Sequence, residues 1–422
     1  MMIRQRMREM IDAEAQRRAE AGEDNADLMA DFGLQQRMAA GMGGGPGGGQ
    51  PGVATKALSR FGEFVETFTE LVCTAQEFVR EYYGGERSSA SLRDVARCIS
   101  VYRWFGEHFS TMHAAERDAA GGKKKKGAAD DNWTMADFFS VNVKARQHVR
   151  SAVIMSLAYC YHSRLPRDQR MLLRHALTDA WEGMQVPART TVYGWDIAGK
   201  EYCTWLTLTA ESIKDTIEVV QRSFVDRMKF PTGIALNEAL CENVFMILVS
   251  CLNQIPIFVV GKPGTSKSLA MELVQTNLQG KASANDFLRS LPAVQTFSYQ
   301  CSPLSTSAGI QQAFDSAKRY KLEAPNTVVV VLLDEVGLAE QSPHLPLKVL
   351  HKTLDEAGTN ESVVGISNWS LDPAKMNRAV HLYRPAPTVE DLALTAEGMV
   401  EKAVVKGYLQ AVAKAFSEVY TK

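Results

Sequence analysis

From Leu58 to Tyr83 the apolar residues Phe61, Phe64, Val65, Phe68, Leu71, Val72, Ala75, Phe78 and Val79 recur at intervals of three and four, which predicts an amphipathic helix. The same spacing predicts a helix from Ser91 to about Phe109, carried by Leu92, Val95, Ile99 and Tyr102, and helical structure over 143–185 and 207–229. Beyond a further helix over Asn237–Leu252 the pattern changes to short apolar runs. Ile255–Val260 is one. Val328–Leu333 is another, with six apolar residues, four of them β-branched, between Pro325-Asn326 and a pair of acids. Such a run suits a strand of a parallel sheet that is buried on both faces. A third strand, Ser362–Ile366, ends in Ser367-Asn368, and Leu371-Asp372-Pro373 starts a helix before a short strand. Strands alternating with helices predict an α/β fold with a parallel sheet, preceded here by an all-helical segment.

The first strand runs into Gly261, Lys262, Pro263, Gly264, Thr265, Ser266, Lys267, Ser268 and Leu269. This follows the phosphate-loop pattern G-x-x-x-x-G-K-[S/T], except that Ser266 stands where the second glycine is expected. That glycine closes the loop at no steric cost, so the serine is a departure from the pattern. In this reading Lys267 reaches the β- and γ-phosphates, Ser268 binds Mg²⁺, and the helix from about Ser268 to Gln279 aims its N-terminus at the phosphates. An incidental Lys-Ser after a turn is the bland alternative; the flanking strand and helix weigh against it.

Asp334 and Glu335 end the second strand about 70 residues downstream, at the carboxyl edge where parallel sheets hold ligands. Asp334 is the expected metal carboxylate and Glu335 the expected general base for water. Two surface acids capping the next segment is the competing reading. Asn368 is placed to orient that water or touch the γ-phosphate, although asparagine is also a common turn residue. Arg378, ten residues later, is a candidate arginine finger for a neighbouring subunit's phosphate, weighed evenly against a solvated surface arginine, with Arg384 as the second choice.

Composition narrows the setting. A 422-residue chain with 45% hydrophobic residues has room for two or three domains with proper cores. Net charge is −1, which gives no general attraction to nucleic acid. Val244–Val260 is interrupted by Ser250, Asn253, Gln254 and Pro256, so no transmembrane segment is expected. The first residues carry charges throughout and no signal-peptide core. Seven scattered cysteines fit reduced thiols and a cytoplasmic protein. None lies in a C-x₂-C pair and no His cluster complements them, as a zinc-binding ring would need, so no zinc site and no ubiquitin-transfer site are expected in this chain. Residues 1–39 read as a polar helix, with Ile3, Met7, Met10 and Ile11 as a thin stripe. Residues 40–52 read as a glycine-rich linker, and the lysines of 121–132 as a solvated loop. Residues 186–204, with Pro187, Gly194 and Gly199, read as loop or short strands.

The order of phosphate loop, Asp-Glu strand, Asn-ended strand and arginine resembles the AAA+ ATPases. The words GKPGTSKSLA (261–270), FSYQCSPLST (297–306), LLDEVGLAEQSPHLPLKVLH (332–351) and GISNWSLDPAKMNR (365–378) are similar to one ATPase unit of the mysterin family, giant ring-finger ubiquitin ligases with a dynein-like AAA+ core. The serine in the loop is also that family's version. Upstream, 89–105 and 156–166 resemble the helical lid of a preceding unit, in which Arg93 matches a γ-phosphate sensor; a salt-bridging role beside Asp94 is the alternative. The resemblance implies four parts. They are 1–57 outside the match, 58–230 as that lid and a connector, 231–384 as the AAA+ large subdomain, and 385–422 as the start of its own lid. On this reading the chain begins late in one unit and stops early in the next. The resemblance also implies Mg²⁺ and ATP as ligands, adjacent AAA+ units as partners, and ubiquitin-pathway proteins by association. Two rival readings stand beside ATP hydrolysis: a nucleotide-holding module without turnover, and a different dynein-like remodelling ATPase.

Overall fold

The computed structural model describes residues 59–86, 89–119, 143–183, 208–354 and 361–399, together with 411 and 415. The readings for residues 1–57, 121–132 and 186–204 lie outside the described residues, as does nearly all of 400–422.

A helical layer comes first: α1 (Ser59–Tyr82), α2 (Leu92–Ala119), α3 (Val143–Cys160), α4 (Arg167–Gly183) and α5 (Ala210–Val225). The expected continuous helix over 143–185 is broken in two. Pro166 forces Leu165 into extended backbone (φ −101°, ψ 149°), and a buried 3₁₀ turn, His162–Arg164, fills the corner.

The α/β part follows in the order α6 (Glu238–Asn253), β1 (Ile257–Gly261), α7 (Lys267–Asn277), α8 (Asp286–Ser290), β2 (Val294–Gln300), α9 (Ser307–Glu323), β3 (Val328–Asp334), α10 (Val336–Glu340), α11 (Lys348–Thr353), β4 (Glu361–Ser367), α12 (Pro373–Met376), β5 (Val380–Arg384) and α13 (Val389–Met399). The sheet has the order β2-β3-β4-β1-β5, and every pairing is parallel. β2 was not anticipated as a strand. As an edge strand it keeps only half of its surface buried and therefore carries Gln, Thr and Ser among its apolar residues.

The two-residue period of a strand divides the interior strands between two cores. Ile257, Val259, Val330, Val364 and Ile366 face α6 and the helical layer, whereas Phe258, Val260, Val329, Val331 and Val363 face α9 and α10. Gly365 pairs with Phe258, and a Cβ on Gly365 would lie 2.3 Å from Phe258 Cδ1, so the glycine makes room for the ring.

The first core is continuous through the helical layer. Phe105 of α2, Phe224 of α5, Phe245 of α6 and Phe287 of α8 form one ring cluster with centroids 5.4–6.5 Å apart. Polar contacts fix the layer against the β5 edge and against α6. Arg97 donates to the carbonyls of Arg378 and Ala379, Ser163 Oγ to that of His381 at 2.9 Å, and Tyr159 Oη bonds Ser250 Oγ at 2.6 Å.

Candidate functional site

Strand order builds the site. β4 lies between β3 and β1, with Leu333 opposite Gly365 and Val260 opposite Ser367. The carboxyl ends of these three strands therefore carry, side by side, Asp334-Glu335, Asn368 and the loop beginning at Gly261. Asn368 is half-buried directly after β4.

The loop is closely fitted at its first residue. Gly261 pairs with Arg384 of β5, and a Cβ on Gly261 would lie 2.5 Å from Arg384 Cβ and 2.9 Å from its carbonyl oxygen. Lys262, Pro263 and Gly264 are exposed, with Gly264 at φ 81°. Thr265 Oγ1 donates to the Lys262 carbonyl at 2.8 Å, and Asn243 Nδ2 of α6 donates to the Thr265 carbonyl at 2.8 Å. Ser266 occupies the left-handed region at φ 55°, the conformation for which the pattern prescribes glycine. The serine thus adopts the required backbone at a cost of roughly 1 kcal/mol.

Ser266 caps α7 by position but makes no side-chain cap. The first-turn N–H groups of α7 have no intrahelical acceptors and form a cradle for an anion. α7 begins at Lys267, one residue earlier than expected, with Ser268 exposed and Leu269 packed on the core. Lys267 is buried, and Nζ donates to the carbonyls of Gly261 at 2.6 Å and Lys262 at 2.9 Å. Burial lowers its pKa, and the nearby Asp334 carboxylate opposes that shift.

Asp334 Oδ1 accepts the Glu335 N–H at 3.0 Å. Glu335 is itself in the left-handed region at φ 51°, an uncommon state for a residue with a side chain. Its Oε2 accepts from Gln300 Nε2 at 3.1 Å. Burial pushes the neighbouring Cys301 thiol up to about 12, and the charges of Asp334 and Glu335 add to the shift.

The two arginine candidates separate. Arg378 lies just after α12, and its guanidinium turns onto the Ala374 carbonyl. Arg384 is only 2% exposed and bonds the Glu242 carboxylate, so it is not a finger offered to a neighbour. Its burial at the end of β5, against Gly261, is what withdraws it. Arg93 is exposed, and the adjacent Asp94 pairs with Arg97 and Arg164.

Gln300, Asn243 and Glu242 were not legible as site residues. Gln300 closes an edge strand, and Glu242-Asn243 lie in a helix whose neighbours are apolar, so no periodicity marks them.

Residues 233–391 match the family model of the RNF213 AAA domain. The chain is 37% identical over 366 residues to the E3 ubiquitin-protein ligase RNF213 of Homo sapiens, covering 83% of this chain and 6% of that protein. The Mus musculus RNF213 is 34% identical over 368 residues, covering 84% and 6%, and rnf213-beta of Danio rerio 31% over 366 residues, covering 82% and 6%. The chain therefore spans about 6% of the length of these curated relatives. A solved structure of Rhizobiales Trip13 aligns with 50% of this chain and 73% of that chain at 17% identity and a TM-score of 0.28. Among the described residues no helix is long and apolar enough to cross a membrane. Residues 233–391 are an AAA domain of the RNF213 (mysterin) family, and the chain is homologous to a segment of RNF213 over most of its length.

Proposed function

We propose that this AAA domain binds ATP with Mg²⁺ and hydrolyses it. The observation that carries the reading is the convergence of the Gly261–Ser268 loop, Asp334-Glu335 and Asn368 on the adjacent ends of β1, β3 and β4. The donor set fits a nucleotide. An uncapped helix N-terminus, a buried lysine and a Gly261 with no room for a side chain favour a phosphate chain laid against backbone.

In this reading the amides of 264–269 and Lys267 bind the phosphates, and Lys267 exchanges its loop carbonyls for phosphate oxygens. Ser268 and Asp334 would hold Mg²⁺, whose chemistry is to neutralise charge on the phosphate oxygens. Glu335 takes a proton from water as the water oxygen bonds to the γ-phosphorus and the bond to the β,γ-bridging oxygen breaks, giving ADP and phosphate. Asn368 orients that water. Arg378 is the finger candidate for an adjacent AAA unit, in the same longer protein or in trans. The relatives are by name E3 ubiquitin-protein ligases, and nucleotide turnover here would drive rearrangement within such a protein in the cytoplasm, alongside ubiquitin-pathway partners.

The test is Mg²⁺-dependent ATP binding and hydrolysis by the purified chain beside Lys267→Ala and Glu335→Gln. Binding lost with Lys267→Ala, and binding kept without turnover in Glu335→Gln, support the reading. Binding without turnover by the wild type would make the domain a nucleotide-holding module. No binding by folded wild type would overturn the site.

A further inference from the structure

Three charged side chains from three parts of the chain meet behind the phosphate loop, on the side away from its exposed tip. Arg170 of α4 in the helical layer bonds Glu242 Oε2 at 3.0 Å, and Arg384 at the end of β5 bonds the same oxygen. All three are buried. Arg170 also donates to the carbonyls of Leu165 at 2.7 Å and Ser163 at 3.1 Å, so the 3₁₀ corner of the helical layer is fixed by the same guanidinium. At the other end, Arg384 is the residue whose Cβ and carbonyl leave no room at Gly261. Asn243, next to Glu242 on α6, holds the Thr265 carbonyl. The loop is thus gripped at its first and fifth residues by groups that all converge on Glu242-Asn243. One turn earlier a second, less buried rung runs beside the first. Arg167 of α4 bonds Glu238 of α6 at 2.9 Å and Asp391 of α13 at 3.1 Å.

We propose that Arg170, Glu242 and Arg384 form a positioning relay through which the helical layer sets the conformation of the phosphate loop. This deepens the nucleotide reading of the loop and rests on it only for its consequence for affinity. The relay links two helices and a strand end through a charge triad whose three members are all buried. Removing Arg170 leaves the Glu242–Arg384 pair intact, so no lone buried charge is created and the cost of an unpaired ion does not obscure the result. The hydrogen bonds of Arg170 go to the carbonyls of Leu165, Ser163 and Tyr383 and to Glu242, so its polar link to the loop runs through these partners.

The test compares wild type, Arg170→Met and Arg167→Ala by amide hydrogen exchange of the full chain without nucleotide, and then by MgATP affinity. The expected result is faster exchange, by at least about fivefold, confined to the loop 261–266 and the start of α7 in Arg170→Met, with Arg167→Ala unchanged. Affinity for MgATP then falls about tenfold in Arg170→Met. Unchanged loop exchange in folded Arg170→Met overturns the relay. So does a uniform rise that reaches β2 and α9 at the far edge, which is what loss of general stability alone gives. If Arg170→Met does not fold, Arg170→Lys carries the same comparison, because it keeps the charge but loses the planar reach to two carbonyls. If the loop loosens as expected but wild type binds no ATP, the relay stands and the nucleotide reading fails.

Discussion

Gln300 Nε2, at the carboxyl end of β2, donates to Glu335 Oε2 at 3.1 Å and holds the side chain of the candidate base from a neighbouring strand. Gln300 is paired with Asp334 in the sheet, so the contact follows from register. The amide fixes one carboxylate oxygen and leaves the other to meet water. Gln300→Ala should lower kcat for ATP by about tenfold with Kd for MgATP unchanged, because orientation of the base matters in the transition state and not in nucleotide binding. Steady-state kinetics beside equilibrium binding checks this; an equal loss in affinity would mean that Gln300 supports the whole site.

Ser266→Gly should stabilise the protein by about 1 kcal/mol, since glycine takes the left-handed region without the Cβ penalty. For a domain of this size that is a rise of about 2–4 °C in Tm. ATP affinity should be kept. A fall in Tm would show that the serine side chain contributes more than its backbone costs.

Gly261→Ala should do the opposite. The new methyl group meets Arg384 Cβ at 2.5 Å and the Arg384 carbonyl at 2.9 Å, and neither is the free end of a flexible chain. Displacing them costs about 1–3 kcal/mol and moves the loop. Thermal melts and ATP binding should both report a loss. Wild-type values for both would refute the close packing of β1 on β5 at this point.

Acid should weaken the fold in two stages. Burial holds His381 down to about 3 although the residue as a whole is half-buried, and nearby Arg164 adds to the shift; burial and Arg170 lower His162 in the same way. Both stay neutral in the folded chain while the unfolded chain takes up protons below about pH 6.5, so their contribution is present above that pH and lost as pH falls. Burial raises Glu242, but Arg170 and Arg384 more than reverse this and hold it at about 2. Its contribution, roughly 3 kcal/mol, is present above about pH 4.5 and lost as pH falls towards 2. Denaturant melts from pH 8 to pH 4 should therefore show stability falling below about pH 6.5, by up to about 2.7 kcal/mol per unit for two protons, with His381→Gln flattening that slope. A flat profile between pH 6.5 and 5 would contradict burial of these rings.

The candidate site residues were legible because their signals are local. A loop that must lie against phosphate needs small residues and a lysine at fixed spacing, and Gly261–Ser268 shows this even with Ser266 in place of glycine. A strand buried on both faces must be apolar throughout, and Val328–Leu333 shows that as well. Helical period likewise marked the amphipathic helices around Phe64–Val79 and Leu92–Tyr102. β2 escaped this reading because an edge strand need not be apolar, and the break at Pro166 was passed over because helical apolar spacing resumes within a few residues, at Met171, Leu172 and Leu173.

The sequence by itself thus determined the α/β class, the candidate phosphate loop, the acid pair and the asparagine-ended strand, since each is set by neighbours within one element. Only the tertiary structure decided what Arg384 does. In the sequence Arg384 is only the second choice for a finger, after Arg378, and nothing near it in the chain names its partner. Its partner Glu242 is 142 residues away, and the third member, Arg170, lies 72 residues before that. No periodicity encodes such a meeting. It exists because β5 packs beside β1 and the helical layer covers that edge of the sheet, which brings two arginines from distant parts of the chain onto one buried carboxylate.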